Sequence, residues 1–349
     1  MTEPKILDVP RISFKIGESA FSPIVSLHSS LRTLGEKVTY RYLMGVSGAA
    51  FRLYWQAGWD ESSASVSSES PALIAARALG YSYHEYANLP DAAAWKLVTE
   101  SLDEGRPVPA CGVVPPLEWQ VICGYQAGKS RRLYVESYFD PRPDAPSEVA
   151  FKGWKGWGQY GMVSNPFALL KKKGLTPTPH VAAFEALARA VLLANEDEHW
   201  AGRAEGKQQG RLWDSGLAAY DGWITDLKGP APAKGLMRQA FINDLTAYTL
   251  EDARLCAATF MDSLAGEFPS ARHYFDVAKS AYHHLAETVA AARKILPFPW
   301  DTFPRVKPEA VAGFAEPAVR AQWVEALTRA REFDTRAVEQ LSTAVNALR

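Results

Sequence analysis

Residues 111–125 read CGVVPPLEWQVICGY, and residues 132–141 read RLYVESYFDP. In both stretches, apolar and β-branched residues are grouped between prolines, glycines and charged residues, which is the pattern of short strands separated by turns. With the apolar run just before them, they predict three strands of an antiparallel sheet, at 108–113, 119–125 and 133–139. The first half of the chain is therefore expected to contain a sheet.

The composition indicates a folded globular protein. The chain has 349 residues, of which 47% are hydrophobic and 22% charged, so it can bury one large core or two ordinary ones, and we expect two domains. It has 38 Lys and Arg residues against 39 Asp and Glu residues. This balance provides no overall field for nucleic acid or for an anionic membrane surface, and we expect neither as a partner.

The cysteines and the first residues of the chain indicate a cytoplasmic protein. Three cysteines, without a Cys-x-x-Cys pair or matching histidines, argue against both a disulfide framework and a structural zinc site. The N-terminus has no basic and apolar regions typical of a signal peptide, and no window approaches the roughly 20 apolar residues of a membrane span. We therefore expect neither export nor membrane insertion.

The character of the sequence changes near residue 175. Before it, short β-type runs alternate with short helical patterns, whereas long segments rich in Ala, Leu and Arg with helical spacing follow it. The boundary falls in residues 173–180, KGLTPTPH, where two prolines stop a helix and stiffen a linker. These patterns predict an α+β domain at 1–174 and an all-α helical domain at 175–349.

A helix is expected to start at Ser22, with Ser22 as the N-cap and Pro23 as the first helical residue. Its apolar side chains fall on one face, and Gly35 can end it. An extended run is expected at 49–55 and a strand at 81–86. Further helices are expected at 71–79, 91–104, 181–195, 205–227, 236–267, 270–295 and 316–346.

Four motifs carry a resemblance to a known family. They are YLMGVSGAAFR at 42–52, PPLEWQVICGY at 115–125, GLAAYDGW at 216–223 and AEPAVR at 315–320. Together they resemble a group of bacterial proteins similar to butirosin biosynthesis protein H, over nearly the whole chain. The resemblance implies a papain-like N-terminal domain, related to the peptidases that trim bacteriocin leaders, and a helical C-terminal part. For the butirosin protein, the implied activity is acyl transfer from a carrier-protein thioester to the amine of an aminoglycoside.

Papain-like chemistry needs a thiolate at a helix N-terminus, an imidazole beside it, and a carboxylate or amide that orients the imidazole. The matching helix, 22–34, has no cysteine, so Ser22, Ser26 and Ser29 are its only plausible nucleophiles. In the resemblance, Glu118 stands where the histidine would be, and Asp140 matches the orienting Asp. His28 could also turn toward the cleft. The alternatives are that Ser22 is only a cap and that His28 is a partly buried helix residue.

Glu118 begins an apolar strand, where loss of water contact would raise its pKa and suit it to general acid or base catalysis. Its alternative is an ion pair with Arg52 or a bond from a backbone amide, which perturbs a pKa equally well. The alternative for Asp140 is a turn residue before Pro141, which its own side-chain hydrogen bonding favours.

Residues expected to contact a ligand lie in the same first half of the chain: Arg52, Trp55, Cys111, Trp119, Tyr125, Trp154 and Trp157. The two last belong to an aromatic and glycine-rich segment at 151–161 that could be a mobile lid, or equally an anchored loop. Cys111 could serve as an alternative nucleophile or be a buried apolar residue. The GVSGA stretch at 45–49 is read as a tight backbone turn rather than a nucleophile elbow.

Three functions follow from these features. The first is an acyltransferase or amide-processing enzyme that acts on a small molecule or an acyl-carrier substrate, with Glu118 as acid or base. The second is a catalytically inactive module that binds a small ligand or peptide. The third is a scaffold that forms a homodimer through its C-terminal helices. No cofactor is expected, and no metal either, because His283 and His284 point about 100° apart on a helix.

Overall fold

The computed structural model describes residues 3–60, 63, 70–115, 118–138, 145–151, 166–172, 174–195, 213–231, 234–302 and 305–348. The chain forms two compact units. The first comprises Met1–Leu43 and Pro71–Thr178, and the second comprises Met44–Ser70 and Pro179–Arg349. The sequence places the whole of 44–70 in the N-terminal domain, whereas in the structure the described residues 44–60 belong to the same unit as the C-terminal helices.

An antiparallel sheet forms the centre of the first unit, as the sequence predicts. Its seven strands within the described residues are β1 Lys5–Ile6, β3 Tyr81–Tyr86, β4 Val108–Cys111, β5 Trp119–Gln126, β6 Arg132–Glu136, β7 Ser147–Ala150 and β8 Phe167–Lys172. They follow the order β3-β8-β4-β5-β6-β7, and β1 pairs with β5. The expected strands 108–113, 119–125 and 133–139 correspond to β4, β5 and β6. The first unit is therefore built around β5, which pairs with three other strands.

Helix α1, Ser22–Thr33, lies against β4 and β5. Its buried face includes Leu27 and Leu31, which are fully enclosed, as the helical spacing predicts. The helix ends in a Schellman motif, in which Gly35 has a φ of 86° and its N–H donates to the carbonyl of Arg32 at 3.0 Å. Gly35 is needed there because residues with a side chain rarely adopt a positive φ.

The start of α1 differs from the expectation. Phe21 is the N-cap, Ser22 is already helical, and no side chain caps the helix. The reason is that the Ser22 hydroxyl donates its hydrogen bond to a side chain outside the helix, Glu118, rather than accepting one from the first turn.

Three further helices belong wholly or partly to the first unit: α2 Tyr40–Val46, α3 Pro71–Ala78 and α4 Asp91–Asp103. Helix α4 packs on the sheet through a core cluster in which Val98 and Leu102 meet Val108 and Ile122. The residues that alternate with these along the strands face the other side of the sheet, where α1 lies.

Five helices of the second unit are described: α5 Pro179–Asn195, α6 Gly216–Lys228, α7 Leu236–Glu267, α8 Arg272–Arg293 and α9 Pro317–Ala347. All five confirm expected helices. For α6 the expected start is wrong, because Asp214–Ser215 is a strand and the helix begins at Gly216. Residues 205–212 of the expected helix lie outside the described residues. Their core includes Trp223 and Trp323, which are almost fully enclosed. The helical pattern after residue 179 is therefore confirmed.

The segment after α2 joins the second unit through a short sheet and a buried ion pair. Strand β2, Tyr54–Trp55, pairs with β9, Asp214–Ser215. The guanidinium of Arg254 binds the Asp334 carboxylate at 2.5 Å and donates to the carbonyl of Ala50 at 2.9 Å. The expected extended run at 49–55 is wrong in its first half, because Gly48, with a φ of 83°, turns the chain into a 3₁₀ helix at Ala49–Phe51.

Among the described residues, none of the helices combines the length and the apolar character needed to cross a membrane.

Candidate functional site

Ser22 and Glu118 meet where the first turn of α1 faces the start of β5. The Ser22 hydroxyl donates a hydrogen bond to Oε2 of Glu118. The same hydroxyl oxygen accepts a hydrogen bond from the backbone N–H of Trp119 at 3.2 Å. Two residues that the sequence analysis singled out separately are therefore in direct contact.

Local backbone structure fixes both partners. Pro23 presets the first turn of α1, since its φ suits a helix and its missing N–H is not needed there. On the other side, the carbonyl of Glu118 accepts a hydrogen bond from the N–H of Gly112 at 2.9 Å. This bond and the pairing of Cys111 with Trp119 join β4 to β5. They fix the backbone of Glu118 at the start of β5.

The surroundings of Glu118 favour its protonated form. The residue is partly exposed, but burial of the carboxyl group raises its pKa, and the hydrogen bond from Ser22 partly opposes this rise. Burial also raises the pKa of the Cys111 thiol to about 12, and the charges of Glu118 and Glu85 contribute to that increase. The thiol therefore stays protonated at neutral pH, which disfavours it as a nucleophile.

Three side chains hold the chain that leads into Ser22. The guanidinium Nε of Arg41 donates to the carbonyl of Gly17 at 2.6 Å, and the Tyr138 hydroxyl donates to the carbonyl of Ser19 at 2.9 Å. The Tyr40 hydroxyl accepts a hydrogen bond from the N–H of Phe21 at 2.9 Å. The residues immediately before Ser22 are thus anchored from α2 and from the end of β6.

His28 does not join this site. Its Nε2 lies 3.0 Å from the carbonyl oxygen of Val38 and is placed to donate to it. Burial lowers the pKa of His28, which keeps the ring neutral. Six residues along a helix amount to about 9 Å, so Ser22 and His28 occupy different turns of α1. The histidine serves to hold the segment after the helix.

The candidate ligand residues of the sheet separate into two positions. Cys111 and Trp119 face each other next to Glu118. Tyr125 lies six residues further along β5, about 20 Å away, and its hydroxyl donates to Asp103 at 3.0 Å. The structure therefore brings Cys111 and Trp119 to the Ser22 and Glu118 pair but not Tyr125.

Arg52 and Trp55 belong to the second unit. Trp55 has no exposed surface, stacks on Trp223 with ring centres 5.1 Å apart, and donates its indole N–H to Asp226 at 2.9 Å. It is a core residue without a face for a ligand. Arg52 is also buried, and the hydrogen bond that the Glu118 side chain receives comes from Ser22.

Asp140, Trp154 and Trp157 lie outside the described residues, as does most of the expected lid at 151–161. In the part of the chain that the structure describes, no group of three or more His, Cys, Asp or Glu side chains could hold a metal ion. His283 and His284 are exposed on α8.

The chain matches no model of a known protein family, and a search of curated proteins found no match either.

The sequence analysis missed Tyr40 and the backbone at 17–21 that precedes Ser22. The tyrosine lies 19 residues after Phe21, and its contact depends on how α2 folds back over the start of α1. No local pattern signals such a contact. The only available sign was the motif directly after it, at 42–52, which marked the region without explaining it.

Proposed function

We propose that the protein is a small-metabolite acyltransferase or amide-processing enzyme on a papain-like scaffold, with Ser22 as nucleophile and Glu118 as general base. One observation carries the proposal: the hydroxyl at the start of α1 donates directly to the carboxylate at the start of β5. The resemblance to papain-like enzymes supports these roles, because their chemistry uses a nucleophile at a helix N-terminus with a base beside it.

The first half of the reaction transfers an acyl group to Ser22. The Oγ of Ser22 attacks the carbonyl carbon of a thioester while Glu118 accepts the hydroxyl proton. When the carbon–sulfur bond breaks, the protonated Glu118 gives this proton to the leaving thiolate. The products are a free thiol and an ester on Ser22, and the carboxylate is restored.

The second half transfers the acyl group to an amine or to water. The nitrogen or oxygen of the acceptor attacks the ester carbon, and Glu118 accepts the proton that the acceptor loses. As the ester bond breaks, that proton returns to the Oγ of Ser22. An amide or an acid leaves, and the enzyme is ready for another cycle.

Glu118 suits this role because its pKa is raised. An ordinary glutamate, with a pKa near 4.3, is too weak a base to remove a proton from a serine hydroxyl. Burial makes this carboxylate more basic, and the direct hydrogen bond removes the need for reorientation before proton transfer. Cys111 contributes a neutral wall rather than a second nucleophile.

A binding module without catalysis is the second candidate, and one observation favours it. The Ser22 hydroxyl already donates to Glu118 and accepts from the N–H of Trp119, and the residue is only 5% exposed. A hydroxyl with both roles filled is typical of a structural contact. In this case the protein would bind a ligand without forming a covalent bond.

Turnover of model acyl thioesters separates the two candidates. The purified full chain is incubated with acyl thioesters of N-acetylcysteamine, with and without a panel of small amines, and thiol release is followed by absorbance. We expect Ser22→Ala and Glu118→Gln each to lower kcat/KM by at least 100-fold, because each removes one member of the reacting pair.

Ser29→Ala is the matched control. Ser29 lies on the same helix, is 4% exposed, and donates its hydroxyl to the carbonyl of Pro10 at 2.7 Å. The Ser29→Ala variant therefore loses a serine hydroxyl and a comparable hydrogen bond, but one that does not involve Glu118. Thiol release that is equal in wild type, Ser22→Ala and Ser29→Ala, or that stays at the background rate in all of them, contradicts the enzymatic proposal.

A further inference from the structure

We propose that Tyr40 is a positioning residue, which holds Ser22 in line with Glu118 by binding the backbone immediately before it. The inference rests on the proposed function of Ser22 and Glu118. It adds to that function a residue that contacts neither the substrate nor the reacting atoms.

The peptide groups of Phe21, the residue before Ser22, are both hydrogen-bonded. The N–H of Phe21 donates to the Tyr40 hydroxyl at 2.9 Å, in a buried contact. The carbonyl of Phe21 accepts the N–H groups of Ile24 and Val25, both at 3.0 Å. Both polar groups of the N-cap residue are therefore fixed, and Ser22 is the next residue in the chain.

Tyr40 is well placed to act as a rigid support. It is 3% exposed and is the first residue of α2. The next residue, Arg41, holds the carbonyl of Gly17 at 2.6 Å. Two consecutive side chains at the start of α2 thus bind the segment that precedes α1. They hold it at Gly17 and at Phe21, four residues apart.

Without the Tyr40 hydroxyl, the N–H of Phe21 loses its buried hydrogen-bond acceptor. The start of α1 is then free to move until this N–H reaches another acceptor. The Ser22 hydroxyl would then deviate from Oε2 of Glu118. Misplacement of a catalytic group by about 1 Å can cost about 100-fold in rate. We expect a smaller displacement here, because Arg41 still holds Gly17.

Tyr40→Phe tests the inference, with Tyr81→Phe as its matched control. Both changes delete one hydroxyl from a buried tyrosine of the first unit, since Tyr81 is 4% exposed and donates to Glu36 at 2.8 Å. Only Tyr40 contacts the residue before Ser22. In the thioester assay, Tyr40→Phe should lower kcat about tenfold with KM unchanged, whereas Tyr81→Phe should leave both constants unchanged.

The pH dependence of kcat distinguishes a positioning role from a purely structural one, because a structural role would not move the midpoint of the pH profile. The hydrogen bond from Ser22 favours the charged carboxylate, so weakening this bond should raise the pKa of Glu118. The rate increases as Glu118 loses its proton. The midpoint of this increase should therefore move to higher pH in Tyr40→Phe and stay in place in Tyr81→Phe.

The outcomes separate the two levels of the argument. If wild type turns over thioesters through Ser22 and Glu118 but Tyr40→Phe behaves as Tyr81→Phe does, the role of Tyr40 is wrong and the proposed function stands. If wild type shows no turnover that depends on Ser22, both are wrong. If Tyr40→Phe does not fold, the α-hydroxy acid analogue of phenylalanine at position 21 replaces it, because it removes the N–H donor and leaves Tyr40 intact. An unchanged kcat and pH midpoint in that variant overturns the inference.

Discussion

At the scale of the residue, the Ser22 hydroxyl donates a hydrogen bond to the Glu118 carboxylate, whose pKa is raised by burial. Keeping such a carboxylate charged at neutral pH costs stability, because the unfolded chain ionises it more easily. A residue retained for chemistry at a cost to folding is common in active sites. A purely structural contact has no need of an acid at this position, since an amide would accept the same hydrogen bond.

Glu118→Gln should therefore stabilise the protein at neutral pH while it removes activity. The Glu118 carboxyl has a higher pKa in the folded protein than in the unfolded chain, so the folded protein binds more protons between these two pKa values. The stability of the wild type therefore falls as the pH rises from the unfolded pKa through the folded one. The advantage of Gln should be largest at pH 7 and should shrink toward pH 4, where Glu118 becomes protonated. Urea denaturation at the two pH values measures it. A variant that is less stable than wild type by the same amount at both contradicts this account.

The sequence could single out Glu118 and Ser22, each for a local reason: a charge at the start of an apolar strand, and a serine before a proline. It could not predict the bond between them, since the two residues are 96 positions apart. The interpretation of Ser22 as an N-cap was wrong for the same reason. A local rule predicts that the Ser22 hydroxyl caps the first turn of the helix, whereas in the structure it donates its hydrogen bond to the distant Glu118.

At the scale of the element, α2 depends on close packing against α7. A Cβ on Gly45 would lie 2.2 Å from Cγ of Phe260, whose ring is buried. Such an overlap forces the ring or the helix to move. Residue 45 therefore needs a glycine for space, although glycine is a poor residue inside a helix.

Gly45→Ala should lower the free energy of unfolding by about 1–3 kcal/mol, as other overpacked cores do. Gly266→Ala is its control, because Gly266 is also helical, belongs to the same unit, and has no atom within 4 Å of an added Cβ. That change should raise the free energy of unfolding by about 0.5–1 kcal/mol. Urea denaturation of both variants measures the difference. Equal effects would mean that α2 does not pack on Phe260 as described.

Long helices were predictable, whereas some short elements were not. Helix α7 has the bounds 236–267 that its spacing predicts, because 32 residues contain many turns of consistent pattern. Helix α2 has seven residues, which make fewer than two turns. This length is too short for a helical pattern to show, and the helix contains a glycine. Strand β8 was missed because its six residues end in two lysines and follow a glycine-rich stretch.

At the scale of the whole molecule, the units are not contiguous in sequence. Residues 44–60 lie between two parts of the first unit in the sequence but belong to the second. The buried guanidinium of Arg254 explains their attachment, since it binds Asp334 and the carbonyls of Ala50 and Arg52. Composition alone could locate the change near residue 175. It could not detect an inserted segment, because the 44–60 stretch resembles its sequence neighbours and its partners lie about 200 residues later.

The central claim is that Ser22 carries the acyl group during turnover, and intact-protein mass spectrometry tests it most directly. The full chain is mixed with an acyl thioester in the absence of amine, quenched in acid, and mapped by peptides. The account predicts one added acyl mass, located on Ser22, which is absent in Ser22→Ala and strongly reduced in Glu118→Gln. An acyl group found on Cys111 or on any other residue, or no adduct while thiol is being released, would contradict it.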